Sequence, residues 1–408
     1  MSGLKNSGKY KSTEEEILVG ARDSLLAIES GKTTLDDLLD DDKFRNLRRI
    51  LSHLLLGYFK RKKVIDSTLA EFFRKTPAAS TYALLRVALT QAITQQRMAP
   101  QAVVNVAVEV AKKEKNHGFV NAVLRRALDK LSGNDFPAEP ENVLPEAVLS
   151  RWKKEFSSNE IKELTESFLS TPAFTFRIEK NAPALPFEYR RTFGIDEMFP
   201  FGEAQAGDVL NSKEFSEGYI YIQDPAASLA PSMAPVGKFD KILDLCAAPG
   251  GKSLMLLEKY PEVKKFVAYD RSAKRQQLTR KNFDLRKISH PAVCDKAMLE
   301  EKWDLILIDA PCSNTGVFRK RPDALWRFSS EELHKTAAIQ AELLDFASAH
   351  LAENGCIIYS TCSIEKEEDE EQINKFLLRH PEFTCSNQQK LLPSSEHDGA
   401  FSAVLRKN

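Results

Sequence analysis

Residues 244–253 read DLCAAPGGKS, and the meaning of this stretch decides the fold. It follows the apolar run FDKIL and leads into the helical LMLLEKY, so it is a loop between a strand and a helix. It comes close to the phosphate loop G-x-x-x-x-G-K-[ST]. Gly251, Lys252 and Ser253 fit, but Cys246 stands where the first glycine belongs. Further on, DLILIDAPC (304–312) sets an aspartate after an apolar run, as a nucleotide-hydrolysing sheet would. The loop is nonetheless a poor cradle for phosphate, which needs successive backbone N–H groups wrapped around the anion. Pro249 has no N–H, and Ala247 and Ala248 occupy positions where a cradle needs flexibility. Gly250 and Gly251 still let the backbone approach a ligand closely. That suits the amino-acid end and sugar of an uncharged or cationic nucleoside.

The surroundings of the loop define its sheet. FDKILDLC, KFVAYD, PAVC, WDLILID and GCIIYSTC are short apolar runs, and helical stretches separate most of them. This is the pattern of a parallel sheet covered on both faces. The tail, EFTCSNQQKLLPSSEHDGAFSAVLRKN, offers two more strands with no helix between them, which are expected to pair antiparallel at the sheet edge. Residues 217–408 therefore read as one α/β domain with a mostly parallel seven-stranded sheet. In such sheets ligands bind outside the carboxyl ends of the strands. The second strand ends at Asp270, nineteen residues after Gly251, where an acid can hold ribose hydroxyls. The third ends near Asp295, placed to meet an adenine. Dinucleotide and S-adenosylmethionine sites share these features; the missing G-x-G-x-x-G lowers the first option without excluding it.

Two cysteines decide further. LILIDAPC ends in Cys312 and CIIYSTC ends in Cys362, on strands expected to be neighbours. Their thiols are expected to meet beside the bound cofactor. A lone strand-end cysteine is normally a small apolar filler, and Cys246, Cys294, Cys356 and Cys385 fit that description. Two in adjacent polar turns do not. A thiolate beside a methyl donor has a use, because carbon 5 of a pyrimidine is a weak nucleophile. Addition of a thiolate at carbon 6 turns the ring into an enamine, and carbon 5 can then attack an electrophilic methyl. A base removes the carbon-5 proton and the thiol is expelled, which is covalent catalysis. The environment must favour the thiolate, since a free cysteine has a pKa of about 8.5. Asp309, three residues before Cys312, is placed to assist at the N3 edge of a cytosine.

The remainder of the 408-residue chain is of a different kind. Residues 12–132 read as helices throughout, with Thr13 and Glu16 at capping-box spacing. Phe44, Leu47, Ile50, Leu51, Leu54, Leu55 and Tyr58 form one apolar face, and Pro100 suits a first helical turn. Residues 133–216 open with a proline-rich linker, continue with short helices at about 145–170, and then give a strand and a loop. The organisation expected is a helical domain over 1–135, a small α+β connector over 136–216 and the α/β domain over 217–408. Lys and Arg together number 58, as do Asp and Glu, so any basic site must be local. Lys60, Arg61, Lys62 and Lys63 are read as solvated helix-end cations, with RNA contact as the sharper alternative. No apolar stretch approaches the roughly 20 residues of a membrane span, and there is no apolar signal core at the N-terminus. A cytoplasmic protein is expected. The six cysteines include no C-x-x-C pair, so free thiols and no metal site are expected.

DLCAAPGGKS, DAPCSNTGVFRKRPDALW and YSTCS resemble the motifs of RNA 5-methylcytosine methyltransferases of the RsmB/NOL1/NSUN type. The resemblance spans 217–408 and takes in YIQDPAAS and HDGAFSAVLRK. MAPQAVVNVAVEVAKK and GFVNAVLRRAL are similar to the NusB-like helical domain of the RsmB type. The family implies Cys362 as nucleophile and Cys312 as the residue that aids product release. Asp309 and Lys252 would contact the cytosine. Cys246, Ala247, Ala248, Pro249, Gly250, Gly251 and Lys252 would hold S-adenosylmethionine, with Asp270, Arg275, Asp295 and Asp309. The implied partner is RNA, above all small-subunit ribosomal RNA, met by a monomer without metal. Expected RNA contacts are Arg125 and Arg126 on the helical domain and Arg319, Lys320, Arg321 and Arg327 in the basic-aromatic stretch VFRKRPDALWRF.

Three positions depart from the family pattern. Glu179 follows Arg177-Ile178 where an asparagine is usual, Asp369 also replaces an asparagine, and Ala400 replaces an aromatic. The acidic run EKEEDEE (365–371) is read as a solvated helix start. The same chemistry on another RNA such as tRNA is the nearest alternative. A non-catalytic RNA-binding assembly factor and a P-loop-like ATPase are the distant ones.

Overall fold

The structure, a computed structural model, describes residues 7–39, 47–94, 98–131, 136–192, 194–293 and 295–407. The chain divides into two compact units, one made of 1–169 with 320–327 and one made of 170–319 with 328–408.

The first unit is helical. It contains α1 (Ser7–Glu29), α2 (Leu35–Leu39), α3 (Arg48–Ala70), α4 (Ala79–Thr94), α5 (Pro100–Lys112) and α6 (His117–Leu131). Apolar residues at steps of three and four bury one face of each long helix, such as Leu51, Leu54, Leu55 and Tyr58 on α3. Phe44, assigned to the same face from the sequence, lies outside the described residues. Pro100 opens α5, where its missing N–H has no helical partner to lose. Thr13 does not cap α1, because that helix begins six residues earlier at Ser7. Nor are Lys60–Lys63 a solvated helix end. They sit within α3, Lys60 is buried, Lys62 pairs with Asp66, and Lys63 donates to the carbonyls of Glu141 and Leu144. The short helices α7 (Pro140–Val143), α8 (Glu146–Glu155) and α9 (Ser158–Leu169) belong to this unit. So does the segment 320–327, whose Trp326 Nε1 donates to the carbonyl of Phe59 at 2.7 Å.

The second unit holds two sheets. The smaller is antiparallel, in the order β2-β3-β1-β4, built from β1 (Thr175–Ile178), β2 (Arg190–Arg191), β3 (Phe201–Glu203) and β4 (Ile220–Ile222). The larger has seven strands: β5 (Lys241–Asp244), β6 (Lys265–Tyr269), β7 (Ala292–Val293), β8 (Trp303–Asp309), β9 (Leu351–Thr361), β10 (Phe383–Leu391) and β11 (Ala400–Lys407). Their order is β10-β11-β9-β8-β5-β6-β7. The five strands from β9 to β7 run parallel, and β11 pairs antiparallel with both β9 and β10. Leu305, Ile306, Leu307 and Ile308 on β8 are all fully buried, as a strand covered on both faces requires.

Ion pairs bind the small sheet to helices that flank the large one. Arg177 on β1, wholly buried, pairs with Glu179 at 2.8 Å and with Glu258 at 2.9 Å on the helix Gly251–Lys259. Arg286 also reaches Glu179, at 3.1 Å. Glu179, one of the departures from the family pattern, is the carboxylate shared by two arginines, a role an asparagine could not fill with charge. Ala400 is buried against Ala226 and Leu229. Asp369 is buried, accepts from Thr361 Oγ1 at 2.7 Å and pairs with Lys390 at 3.0 Å.

Candidate active site

The loop after β5 is held in one shape by its own backbone. Gly250 has φ +102°, a left-handed conformation that glycine adopts without strain, and it opens the helix Gly251–Lys259. A Cβ on Gly251 would lie 2.6 Å from Gln223 Nε2 and 2.9 Å from the Tyr221 ring, so a side chain has no room there. The loop carbonyls are tied down. Arg275 donates to Ala248 O at 2.8 Å, and Asn282 donates to Pro249 O at 2.9 Å.

An open cleft of about 230 Å³ lies over this loop. Its walls include Cys246, Ala247, Ala248, Pro249, Gly251, Lys252 and Asp309, all anticipated from the sequence. Tyr221, Ile222, Gln223 and Asp244 also line it. These had been given no role: the first three lie in a quoted motif, and Asp244 is the first residue of the quoted loop. Gly250, Asp270, Arg275, Asp295 and the two strand-end cysteines, Cys312 and Cys362, stand outside the cleft lining. Asp270 is buried at the end of β6, accepts from Ser272 N at 2.8 Å and faces Arg275 at 3.6 Å. Asp295 is exposed and caps its own short turn through Ala297 N at 2.9 Å.

The polar inventory of the cleft is incomplete in a telling way. Asp244 takes the Ser253 hydroxyl at 2.6 Å on one oxygen, while its Oδ1 is buried without a hydrogen-bond partner. Burial raises its carboxyl to about 7, and the nearby Asp309 charge adds to the rise. Gln223 Oε1 is likewise buried and unpartnered. Orphaned acceptors of this kind fit a ligand that brings donors and positive charge, as the methionine end and sulfonium of S-adenosylmethionine do.

The cysteines meet as the topology requires. Residues 309 and 360 are paired across β8 and β9, and Cys312 Sγ lies 3.2 Å from Cys362 Sγ. The Cys362 thiol points to Asn314 Oδ1 at 3.3 Å, and Asn314 Nδ2 returns to Cys312 O at 3.0 Å. Lys252 Nζ pairs with Asp309 Oδ2 at 2.6 Å. Burial works against the Lys252 charge, but Asp309 and the Cys362 sulfur outweigh it, so its pKa is raised. Cys312 is raised as well, first by its hydrogen bond with Cys362, then by burial. The Cys246 thiol is pushed up mainly by burial, and Cys356 is buried on β9. Cys294 lies outside the described residues.

The acidic run near Cys362 is solvated only in part: Glu370 and Glu371 form the first turn of a helix, as expected, but the acids before them are mostly buried. Glu365, Glu368 and Asp369 are fully buried. Glu368 accepts from Ser313 N at 2.9 Å, Ser313 Oγ at 2.6 Å, Thr336 Oγ1 at 2.6 Å and Gln340 Nε2 at 3.2 Å. Sequence reading missed it because six acids in a run of seven residues resemble a surface.

Among the expected RNA contacts, Arg319 is a correction. Its side chain is 3% exposed and pairs with Asp398 at 3.3 Å and Asp224 at 3.6 Å, while it donates to the carbonyls of Ser394 and Ser395. It fastens loops and is not available to phosphate. Arg125, Arg126, Arg321 and Arg327 are exposed, and Arg327 pairs with Asp323 at 2.9 Å. Lys320 is half-buried.

A cleft at the carboxyl edge of this seven-stranded sheet is where a Rossmann-like domain binds its nucleoside ligand. The family can also be stated. Residues 231–405 match the family described as 16S rRNA methyltransferase RsmB/F, and residues 21–129 match the NusB family. The chain is 30% identical to ribosomal RNA small subunit methyltransferase B of Pseudomonas putida, over 96% of this chain and 98% of that one. It is also 30% identical to the protein of that name from Vibrio cholerae, over 79% and 80% of the two. The chain therefore belongs to the RsmB/F methyltransferase family. The crystal structure of PH0851 shares the fold, with TM-score 0.74 and 22% identity over 97% of this chain and 99% of that one.

Proposed function

We propose that this protein methylates carbon 5 of a cytosine in small-subunit ribosomal RNA through a covalent cysteine adduct. The observation that carries the reading is the pair of thiols 3.2 Å apart, next to a Lys252–Asp309 pair that opens on the cleft. S-adenosylmethionine, bound over the loop 246–252, supplies an electrophilic methyl group. Asp244 and Gln223 hold its methionine end, and Asp270, steadied by Arg275, and Asp295 hold its nucleoside end.

Cys362 adds to carbon 6 as a thiolate, with Lys252 offsetting its charge. Asp309 and Lys252 hold the N3 edge, so charge pushed onto that nitrogen meets a donor. Carbon 5 takes the methyl group, and the carbon-5 proton leaves to solvent base. The C6–S bond then breaks and its electron pair returns to Cys362. Cys312 donates its S–H to that sulfur and eases the departure. A cytosine in structured RNA must first leave its stack, at roughly a few kcal/mol. Arg125, Arg126, Lys320, Arg321 and Arg327 meet the RNA backbone, and the enzyme works in the cytoplasm as a monomer without metal. The names of the curated relatives and the matched family favour ribosomal RNA over tRNA.

The test pairs radiolabelled S-adenosylmethionine with small-subunit ribosomal RNA, using wild type, Cys362→Ala and Cys312→Ala. Expected are transfer to cytosine C5 by wild type, none by Cys362→Ala, and a protein–RNA adduct trapped on a denaturing gel by Cys312→Ala. A swapped pattern reverses the roles of the cysteines. Cofactor binding without methylation of any cytosine in that RNA overturns the substrate.

A further inference from the structure

The two thiols are 3.2 Å apart and chemically identical in the sequence, yet the reaction proposed above needs them to differ. One must enter as a thiolate and the other must stay a thiol. Something in the site has to break the symmetry.

Their charged surroundings are opposite. Cys362 lies close enough to Lys252 for a negative sulfur to favour the ammonium. Cys312 is followed by Ser313, whose N–H and hydroxyl both bind the Glu368 carboxylate, at 2.9 and 2.6 Å. Thr336 and Gln340, from the helix Ser330–His350, bring two more donors to the same carboxylate. Four donors from three residues thus converge on one carboxylate and fix its place beside the Cys312–Ser313 turn. The other titratable groups that act on Cys312 or feel it are Cys362 and Tyr359, both from the β9 side. Asp309, from β8, is paired with Lys252 at 2.6 Å.

We propose that Glu368 is the positioning residue that makes the two thiols unequal, fastening the Cys312–Ser313 turn and keeping Cys312 protonated so that the thiolate resides on Cys362. The inference rests on the two-thiol reading above and assigns its asymmetry to one side chain. A negative charge beside Cys312 disfavours a second one there, and Cys312 instead gives its S–H to the Cys362 sulfur. No proton has to cross between the sulfurs when the C6–S bond forms or breaks. The direction of the Cys312 shift agrees, with Glu368 among its causes.

The experiment is alkylation by iodoacetamide from pH 6 to 10 without RNA, read cysteine by cysteine by peptide mass spectrometry. In wild type, Cys312 should react with a midpoint at least about one pH unit above that of Cys362, a tenfold difference in thiolate fraction. In Glu368→Gln, Cys312 alkylation at pH 7.5 should rise about tenfold while Cys362 changes less than threefold; Glu368→Asp, which keeps the charge, should restore slow reaction. Binding of S-adenosylhomocysteine reports that each variant is folded. Equal or reversed midpoints in wild type overturn the inference even if Glu368→Gln does not fold. An unchanged Cys312 profile in a folded Glu368→Gln overturns it too. Because no RNA is present, the result is independent of whether cytosine methylation itself is found.

Discussion

Two clusters of partly buried charge, one in each unit, use the same residue types to opposite ends. In the helical unit, Arg86 on α4 bonds Asp66 through Nε and Nη2 and both oxygens of Glu29 through Nη1, with the Tyr82 ring 3.7 Å from its Cζ. Lys62 adds a second cation to the same two acids. In the catalytic unit, Lys252 and Asp309 also pair, but their neighbours Asp244 and Gln223 each keep a buried oxygen without a partner, and all four line the cleft. The first cluster is closed on itself and stabilises the fold. The second is left open, and open acceptors are where a ligand completes the structure.

That contrast can be broken experimentally. Asp309→Asn removes the carboxylate that holds Lys252 and the base edge; methylation in single turnover should fall about 10²–10⁴-fold, the usual range for a positioned acid-base group. A loss below tenfold would remove Asp309 from the chemistry. Gly251→Ala drives a methyl into Gln223 and Tyr221, and overpacking of about 1–3 kcal/mol should weaken S-adenosylhomocysteine binding roughly 10- to 100-fold. Arg86→Met is the opposing control. It leaves two carboxylates without their main partner and should lower the unfolding free energy by about 2–3 kcal/mol in urea. Methylation per folded molecule should change less than about twofold. If Arg86→Met instead removes activity without loss of stability, the closed cluster is not merely structural.

The same contrast governs what the sequence could tell. Turn chemistry was readable because it is local: Gly250, Gly251 and the two strand-end cysteines each follow a short apolar run, and strand adjacency then fixed where the thiols meet. Helical periodicity was equally plain on α3. Charge was not, because a charged residue looks the same in sequence whether water or a buried partner faces it. Arg319 read as an RNA contact and is an interior brace held by Asp224 and Asp398, 95 residues before it and 79 after it. Glu368 and Asp369 read as surface, and their partners Thr336, Gln340 and Lys390 are all distant in the chain. The departures at Glu179 and Asp369 become intelligible only once Arg286 and Lys390 are seen beside them.

The finest form of the comparison sets Asp244 against Asp369, two buried carboxyls both raised by burial. Asp369 accepts from Thr361 and pairs with Lys390, while Asp244 lines the cleft. With its folded pKa near 7, Asp244 holds a proton that the unfolded chain has lost above about pH 4. Its contribution to stability is therefore present at low pH and is lost as pH rises through about 7. Ligand binding carries the opposite sign. A cationic methionine end favours the ionised carboxylate, so below pH 7 binding must expel a proton. S-adenosylhomocysteine, which has the same amino-acid end, should bind up to about tenfold more weakly per pH unit below 7 and level off above it. Calorimetry in buffers of different ionisation enthalpy should count up to one proton released near pH 6. Asp244→Asn should flatten the profile, whereas Asp369→Asn should leave it unchanged. A flat wild-type profile would mean that the open carboxylate does not receive the cofactor's ammonium, and the methionine end would then have to be assigned elsewhere along the loop.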